Sequence, residues 1–234
     1  MSCLRRLQQS VHSQGIGQTF SKLFVLFHDY FFDLRHGVQT FDCTPLTHLS
    51  VRGQNRRYGN PYRPTRCWPL SRLLRQLQPI LPHPLGFVDF GSGKGKVLML
   101  AAKHGFAKTR GVEFAHELCE LARRNIARFQ QSCAPNAEMS VIETDASEYR
   151  IQPDENVFFF FNPFGDQVLD RVICNINDSM REHPRRVIII YGYPVHHQAI
   201  ESHQNYRILD RLCFGGHRFI VYEGRPMLLE AEAA

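Results

Sequence analysis

The chain is poor in the features that would place it in a membrane, outside a cell or around a metal. No stretch of its 234 residues approaches the ~18 consecutive uncharged apolar residues of a membrane span. The most apolar early run, Leu23 to Phe32, is interrupted by His28 and Asp29. No early apolar run leads into a small-residue cleavage site, so no secretory signal is expected. The seven cysteines (Cys3, Cys43, Cys67, Cys119, Cys133, Cys174 and Cys213) contain no C-x-x-C pair, which argues against zinc ribbons and dithiol redox sites. Scattered thiols without a signal predict a reducing, cytoplasmic setting. No His/Cys/acid clustering points to a metal, and neither internal repeats nor low-complexity tracts occur. Wholesale disorder is excluded by 43% hydrophobic against 21% charged residues.

Acid is missing from one segment in particular. Between Val51 and Arg75 there are seven arginines (Arg52, Arg56, Arg57, Arg63, Arg66, Arg72 and Arg75) and no Asp or Glu. The net charge of +6 therefore comes from a local patch rather than from the whole chain. Such a patch is either a landing site for an acidic partner or nucleic acid, or a solvated Arg-rich connector.

What is present reads in two parts. Residues 1–80 form an N-terminal extension: a helix over Ile16 to Leu34 closed near Gly37, a Pro/Gly/Asn-rich loop from Thr40 to Thr65, and a helix over Trp68 to Gln78 ended by Pro79, Pro82 and Pro84. Residues 81–226 alternate short apolar strands with amphipathic helices, and 227–234 form a tail. Strands are predicted at 87–90, 109–113, 139–143, 157–161 and 186–191, with helices at 94–104, 115–132 and 166–181. Apolar strands separated by helices imply a parallel sheet covered on both faces. Tyr206 to Phe214 and His217 to Tyr222 flank Gly215-Gly216, a hairpin signal. The expected fold is a doubly wound α/β domain: a seven-stranded, mostly parallel sheet with an antiparallel C-terminal hairpin, preceded by the helical extension.

The densest chemical signal is Val88-Asp-Phe-Gly-Ser-Gly-Lys-Gly95. A strand ends in an acid, and alternate glycines let the backbone approach a ligand at the start of a helix. The phosphate loop G-x-x-x-x-G-K-[ST] fails because Val97 follows Lys96. The dinucleotide pattern G-x-G-x-x-G fails because Lys96 occupies its last position. An acid in front of the loop repels a pyrophosphate and suits a cationic ligand such as S-adenosylmethionine, which carries a sulfonium and an ammonium.

On these residues, 86–223 resemble a class I S-adenosylmethionine-dependent methyltransferase. The resemblance assigns Asp89, Gly91, Ser92, Gly93 and Gly95 to the cofactor loop, Glu113 to the ribose hydroxyls and Asp145 to the adenine. It places Asn162-Pro163-Phe164, after the fourth strand, toward the acceptor. A narrower resemblance, carried by DFGSGKGKVLMLAA, GVEF, FFFFNPFG and the upstream Arg35-His-Gly37 and Arg57-Tyr-Gly59, is to an uncharacterised bacterial group distantly similar to the non-SET protein-lysine methyltransferases, and Tyr62-Arg-Pro-Thr65 is part of that distant similarity. It implies that Tyr62 and Thr65 fold over the cofactor; by themselves, Tyr62 and Pro64 would simply order a loop.

The resemblance implies methylation of a protein lysine amine, with nucleic acid or a small metabolite as the alternative acceptor. A non-catalytic cofactor-binding scaffold and a dehydrogenase are the further alternatives. The Asn162 amide oxygen and the Pro163 carbonyl can accept hydrogen bonds from an amine and so aim its lone pair, or Asn162 and Pro163 merely end a buried strand. Lys94 either faces the carboxylate of the cofactor or is solvated. His196 and His197 read as surface residues rather than a general base, and Trp68 as a packing anchor.

Overall fold

The computed structural model describes residues 16–45, 47, 49–50, 59–82 and 86–226. Arg52, Arg56, Arg57, Pro84 and the tail 227–234 lie outside the described residues. In chain order the elements are α1 (Ile16–His36), α2 (Cys67–Leu77), β1 (Gly86–Phe90), α3 (Lys96–Lys103), β2 (Lys108–Glu113), α4 (His116–Cys133), β3 (Glu138–Glu143), β4 (Val157–Phe160), α5 (Asp166–Glu182), β5 (Val187–Gly192), a short α6 (Gln198–Glu201), β6 (Tyr206–Phe214) and β7 (His217–Gly224).

The seven strands form one sheet in the order β3-β2-β1-β4-β5-β7-β6. β1 to β5 pair in parallel, while β7 runs antiparallel to both β5 and β6. The hairpin turn has Gly215 at φ 57° and Gly216 at φ 81°, conformations that suit glycine and match the twist of a tight hairpin. Strand order reverses between β1 and β4, and a ligand crevice opens outside the carboxyl ends at such a point.

Side chains alternate across the sheet with the period of two that a strand imposes. Phe87, Phe159 and Ile190 enter the cluster under α3 and α4, while Phe90, Phe158 and Phe160 enter the cluster under α5. Phe90 and Phe160 stack with ring centroids 5.0 Å apart. The extension shares this core, because Phe32, Leu70, Leu73, Leu74 and Leu77 join the same cluster as Phe87 and Leu98. Its hinge is Asp29, fully buried, which accepts from the Cys67 backbone N–H at 2.7 Å and from Arg66 at 2.8 Å. A buried carboxylate thereby caps the start of a helix 38 residues downstream.

The opposite end of the sheet is fastened. Glu155, buried at 0% exposure, accepts from Arg110 at 2.6 Å, Tyr149 Oη at 2.5 Å and the Gln152 N–H at 2.8 Å. Most boundaries shift by one or two residues from the sequence expectation, and two of the shifts have a visible cause. α3 starts at Lys96 rather than Lys94, because Gly95 sits at φ 80° and prolongs the loop. β7 runs on to Gly224, where Glu223 gathers Arg186, Arg207 and Arg225. Among the described residues no helix is long and apolar enough to cross a membrane.

Candidate functional site

A cavity of about 470 Å³ opens at the carboxyl ends of β1, β2 and β4, roofed by residues 59–66. This volume suits a ligand of nucleoside size. Every residue assigned from sequence to the cofactor or acceptor lines it except Gly93 and Gly95, which belong to the loop at its edge.

The loop is pinned on both sides. Gly91 and Ser92 donate their N–H groups to the Val112 carbonyl at 2.8 and 3.2 Å. A Cβ at Gly91 would lie 2.4 Å from Cβ of Pro163, and one at Gly93 (φ 52°) would lie 2.2 Å from the Tyr62 ring. The loop thus needs glycine at both positions because Pro163 and Tyr62 press on it. Tyr62 is held there by its hydroxyl, which donates to the Thr40 carbonyl at 3.0 Å. Thr65, buried, follows on the same wall.

Three carboxylates occupy one end of the cavity, each in a different condition. Asp89 is 2% exposed, and its carboxylate makes no hydrogen bond among the described residues. Burial first, and the neighbouring Glu113 charge second, push its pKa well above the usual carboxylate range. Glu113 is committed at both oxygens: Oε2 accepts from the Gly93 N–H at 2.9 Å, and Oε1 from those of Phe114 and Ala115 at 3.0 Å. Burial raises its pKa, and these three donors pull it only part of the way back. Glu113 therefore ties β2 to the glycine loop as well as facing the cavity. Asp145 accepts from the Ser147 N–H at 2.9 Å and Oγ at 2.7 Å, starting a short 3-10 turn at the cavity edge.

The cationic lining lies elsewhere. Lys96, 2% exposed, lines the cavity with an ammonium that has no hydrogen-bond partner and stands 3.5 Å from Asp29. Lys94 takes neither of its expected places. It is 7% exposed, donates to the Asp42 carbonyl at 2.7 Å and sits 5.0 Å from the centre of the Tyr62 ring. Burial lowers its pKa, and nearby Asp42 and Asp33 work against that. Sequence reasoning therefore missed Lys96. A lysine at the first position of a helix, against the dipole, was the signal that could have found it.

Asn162 and Tyr193 are the two non-glycine residues with positive φ among the described residues, at 48° and 49°. Both line the cavity, at the ends of β4 and β5. Strained conformations of this kind concentrate at functional sites. The Asn162 Oδ1 accepts from Tyr191 Oη at 3.2 Å. Asn60 donates its side-chain amide to the Asn162 carbonyl at 2.8 Å and its N–H to the Pro163 carbonyl at 3.0 Å. Each acceptor proposed for an amine thus already holds one donor and keeps its second lone pair. Phe164, 8% exposed, packs edge-on to Phe160. His196 and His197 stand outside the cavity, and the His197 Nδ1 lies 3.2 Å from the Glu201 carboxylate. Trp68 packs edge-on against Phe24.

Asp170, Cys174 and His203 come together away from the cavity. Asn177 Oδ1 is taken by Asn205 and Tyr206, so its amide NH2 faces His203 Nδ1 at 3.2 Å. Nδ1 then accepts, Nε2–H donates to Asp170 at 3.0 Å, and the imidazole has no lone pair free for an ion.

The family described as histone methylation protein DOT1 matches residues 64–187. The chain belongs to this family. As a DOT1-family protein it is a class I methyltransferase that depends on S-adenosylmethionine. The cavity suits that cofactor, since buried Asp89 and Lys96 line it and complement an ammonium and a carboxylate.

In fold, the DOT1-family chain is similar to a candidate RNA methyltransferase of Pyrococcus horikoshii, with 17% identity and a TM-score of 0.52 over 79% of this chain and 94% of that one. It is also similar to a candidate methyltransferase of Escherichia coli, with 15% identity and a TM-score of 0.53 over 79% and 99%. A third similar structure is the magnesium protoporphyrin IX methyltransferase of Synechocystis PCC 6803, solved with S-adenosylmethionine bound, with 12% identity and a TM-score of 0.50 over 68% and 79%. No curated protein is significantly similar to the chain in sequence.

Proposed function

We propose that this protein transfers the methyl group of S-adenosylmethionine to the amine of a protein lysine. Membership of the family described as histone methylation protein carries the reading. The cofactor supplies an electrophilic methyl group and its own leaving group. The chain binds and aims. In this reading Asp89 meets the cofactor ammonium, Lys96 its carboxylate, Glu113 the ribose and Asp145 the adenine. Gly91, Ser92, Gly93 and Gly95 bring backbone close, while Tyr62 and Thr65 close the roof.

The acceptor amine must arrive neutral, with its lone pair toward the methyl group. Arg63, Arg66 and Arg218 line the cavity and, with the sulfonium, disfavour a further cation there, which loosens the amine's proton. The remaining lone pairs of Asn162 Oδ1 and the Pro163 carbonyl accept the amine N–H groups, and Phe164 braces the wall behind them. Methylation of nucleic acid is the second reading, favoured by the exposed Arg63 and Arg218 at the same mouth.

The test is transfer of labelled methyl from S-adenosylmethionine into a cell lysate, split between protease and nuclease digestion. Label lost to protease supports the lysine reading, and label lost to nuclease replaces it with the second. Asn162→Ala is expected to abolish transfer while cofactor affinity, measured by calorimetry, is spared. Unchanged transfer would remove Asn162 from the acceptor site.

A further inference from the structure

Among the described residues, the outer face of α1 is an uncovered apolar surface. Leu23, Phe24, Phe27, Tyr30, Phe31 and Leu34 are between 42% and 67% exposed. Arg35 is the one charged residue among the exposed positions of 23–35. The inner face, Val25, Asp29, Phe32 and His36, is buried against the domain. A helix apolar on both sides belongs to an interior, and a monomer seldom leaves a contiguous apolar patch of this size in water.

The spacing of the outer face is that of a helix-pairing seam. Phe24, Phe27, Phe31 and Leu34 follow steps of three and four, the repeat with which one helix packs against another. Phe27 and Phe31 already stack within the chain, with centroids 6.2 Å apart. The set is also self-complementary. About a two-fold axis midway between Phe27 and Phe31, an antiparallel copy would set Phe27 against the partner's Phe31 and Phe24 against the partner's Leu34. Isologous contacts of this kind are the commonest route to a closed dimer.

Six large side chains at roughly half exposure uncover about 600 Å² per copy. Two copies together bury about 1,200 Å², the lower end of a stable interface. A lipid surface suits this face less well, because helices that lie on membranes carry several Lys or Arg on a free polar face, and here the opposite face is buried in protein.

We propose that α1 is the dimer interface of this protein, pairing antiparallel with α1 of a second copy. The inference goes beyond methyl transfer and does not depend on it. It has a consequence for the cavity all the same. A Cβ at Gly215 would lie 3.2 Å from Trp68 and 3.5 Å from Val25, so the β6–β7 turn rests on α1 and α2, and the next residues, Gly216, His217 and Arg218, line the cavity. Pairing would steady that wall.

The test is sedimentation equilibrium of the full chain at micromolar concentration, beside the double variant Phe27→Glu/Leu34→Glu. The wild type is expected at twice the chain mass, and the variant at the chain mass with a cooperative thermal transition. A second variant, Tyr30→Cys, places a thiol near the axis and is expected to form an intermolecular disulfide on mild oxidation beyond any seen in the wild type; this arm stands even where the double variant fails to fold. A monomeric wild type overturns the proposal. It is also overturned by a dimer that survives the double variant with its fold intact. A monomer that dimerises only after deletion of residues 1–15 would make this chain's own N-terminal segment the occupant. A monomer that co-sediments with phosphatidylcholine vesicles would give the face to lipid.

Discussion

Asp89→Asn is expected to move stability and cofactor affinity in opposite directions. Asp89 is buried without a hydrogen bond among the described residues, beside the second buried carboxylate, Glu113. A polar group left in that condition costs about 1–3 kcal/mol. Replacing the charge by a neutral amide recovers much of this, and each kcal/mol raises Tm by about 2–4 °C in a chain of this size.

The pH dependence follows from the upward shift. The folded state holds this proton above the unfolded value of 3.8, so in that window the native chain binds more protons than the unfolded one. Stability of the cofactor-free protein then falls as pH rises from 3.8 toward the raised value, and the variant loses that slope. Affinity moves the other way, because a charge-assisted hydrogen bond to the cofactor ammonium contributes about 1.5–3 kcal/mol, roughly ten- to hundredfold in Kd. Thermal melts between pH 4 and 8 and calorimetric titration with S-adenosylmethionine read both effects. A variant that melts lower and binds normally would refute the assignment of Asp89 as a charge held in reserve for the cofactor.

Lys96→Met is expected to weaken S-adenosylmethionine roughly tenfold while leaving 5′-methylthioadenosine, which lacks the amino-acid end, unaffected in calorimetry. Equal losses for both would remove Lys96 from the carboxylate. Gly93→Ala combines a left-handed φ of 52° with a Cβ 2.2 Å from the Tyr62 ring, so it is expected to lower stability by about 1–2 kcal/mol from the backbone alone and more from the clash. In a denaturant double-mutant cycle with Tyr62→Ala, a coupling of about 0.5–3 kcal/mol is expected, whereas additivity would mean that the ring does not press on the loop. Burial opposes the ionisation of Glu223, yet hydrogen bonds from Arg186, Arg207 and Arg225 hold its pKa at about 2, below the ordinary 4.5. Its contribution is therefore present above pH 4.5 and lost as pH falls toward 2. Glu223→Gln should cost about 1–3 kcal/mol at neutral pH, after solvent screening of the arginines, and the gap from wild type should close in urea titrations below pH 4.5.

Sheet, hairpin and loop were legible in the sequence because local chemistry decides them. Short apolar runs such as Val157–Phe160 become buried strands whatever surrounds them, Gly215-Gly216 turns a hairpin by its φ angles, and an acid followed by alternate glycines makes a loop that admits a ligand. From these came the doubly wound fold, the methyltransferase reading and the gathering of Asp89, Glu113, Asp145 and Asn162 at one end of the sheet. Tertiary structure alone decided which charges stay available there. Lys94 and Lys96 stand two residues apart on a loop and a helix start, and nothing local separates them. Lys94 is drawn away by the Asp42 carbonyl, 52 residues upstream, and Lys96 is left facing the cavity beside Asp29. The same holds for Asn60, which reaches 102 residues along the chain to the Asn162 carbonyl, and for the union of α1 and α2 with the core under α3. Periodicity reports which face of an element is buried, whereas the partner waiting there is set by chain segments far away in sequence, and only their packing reveals it.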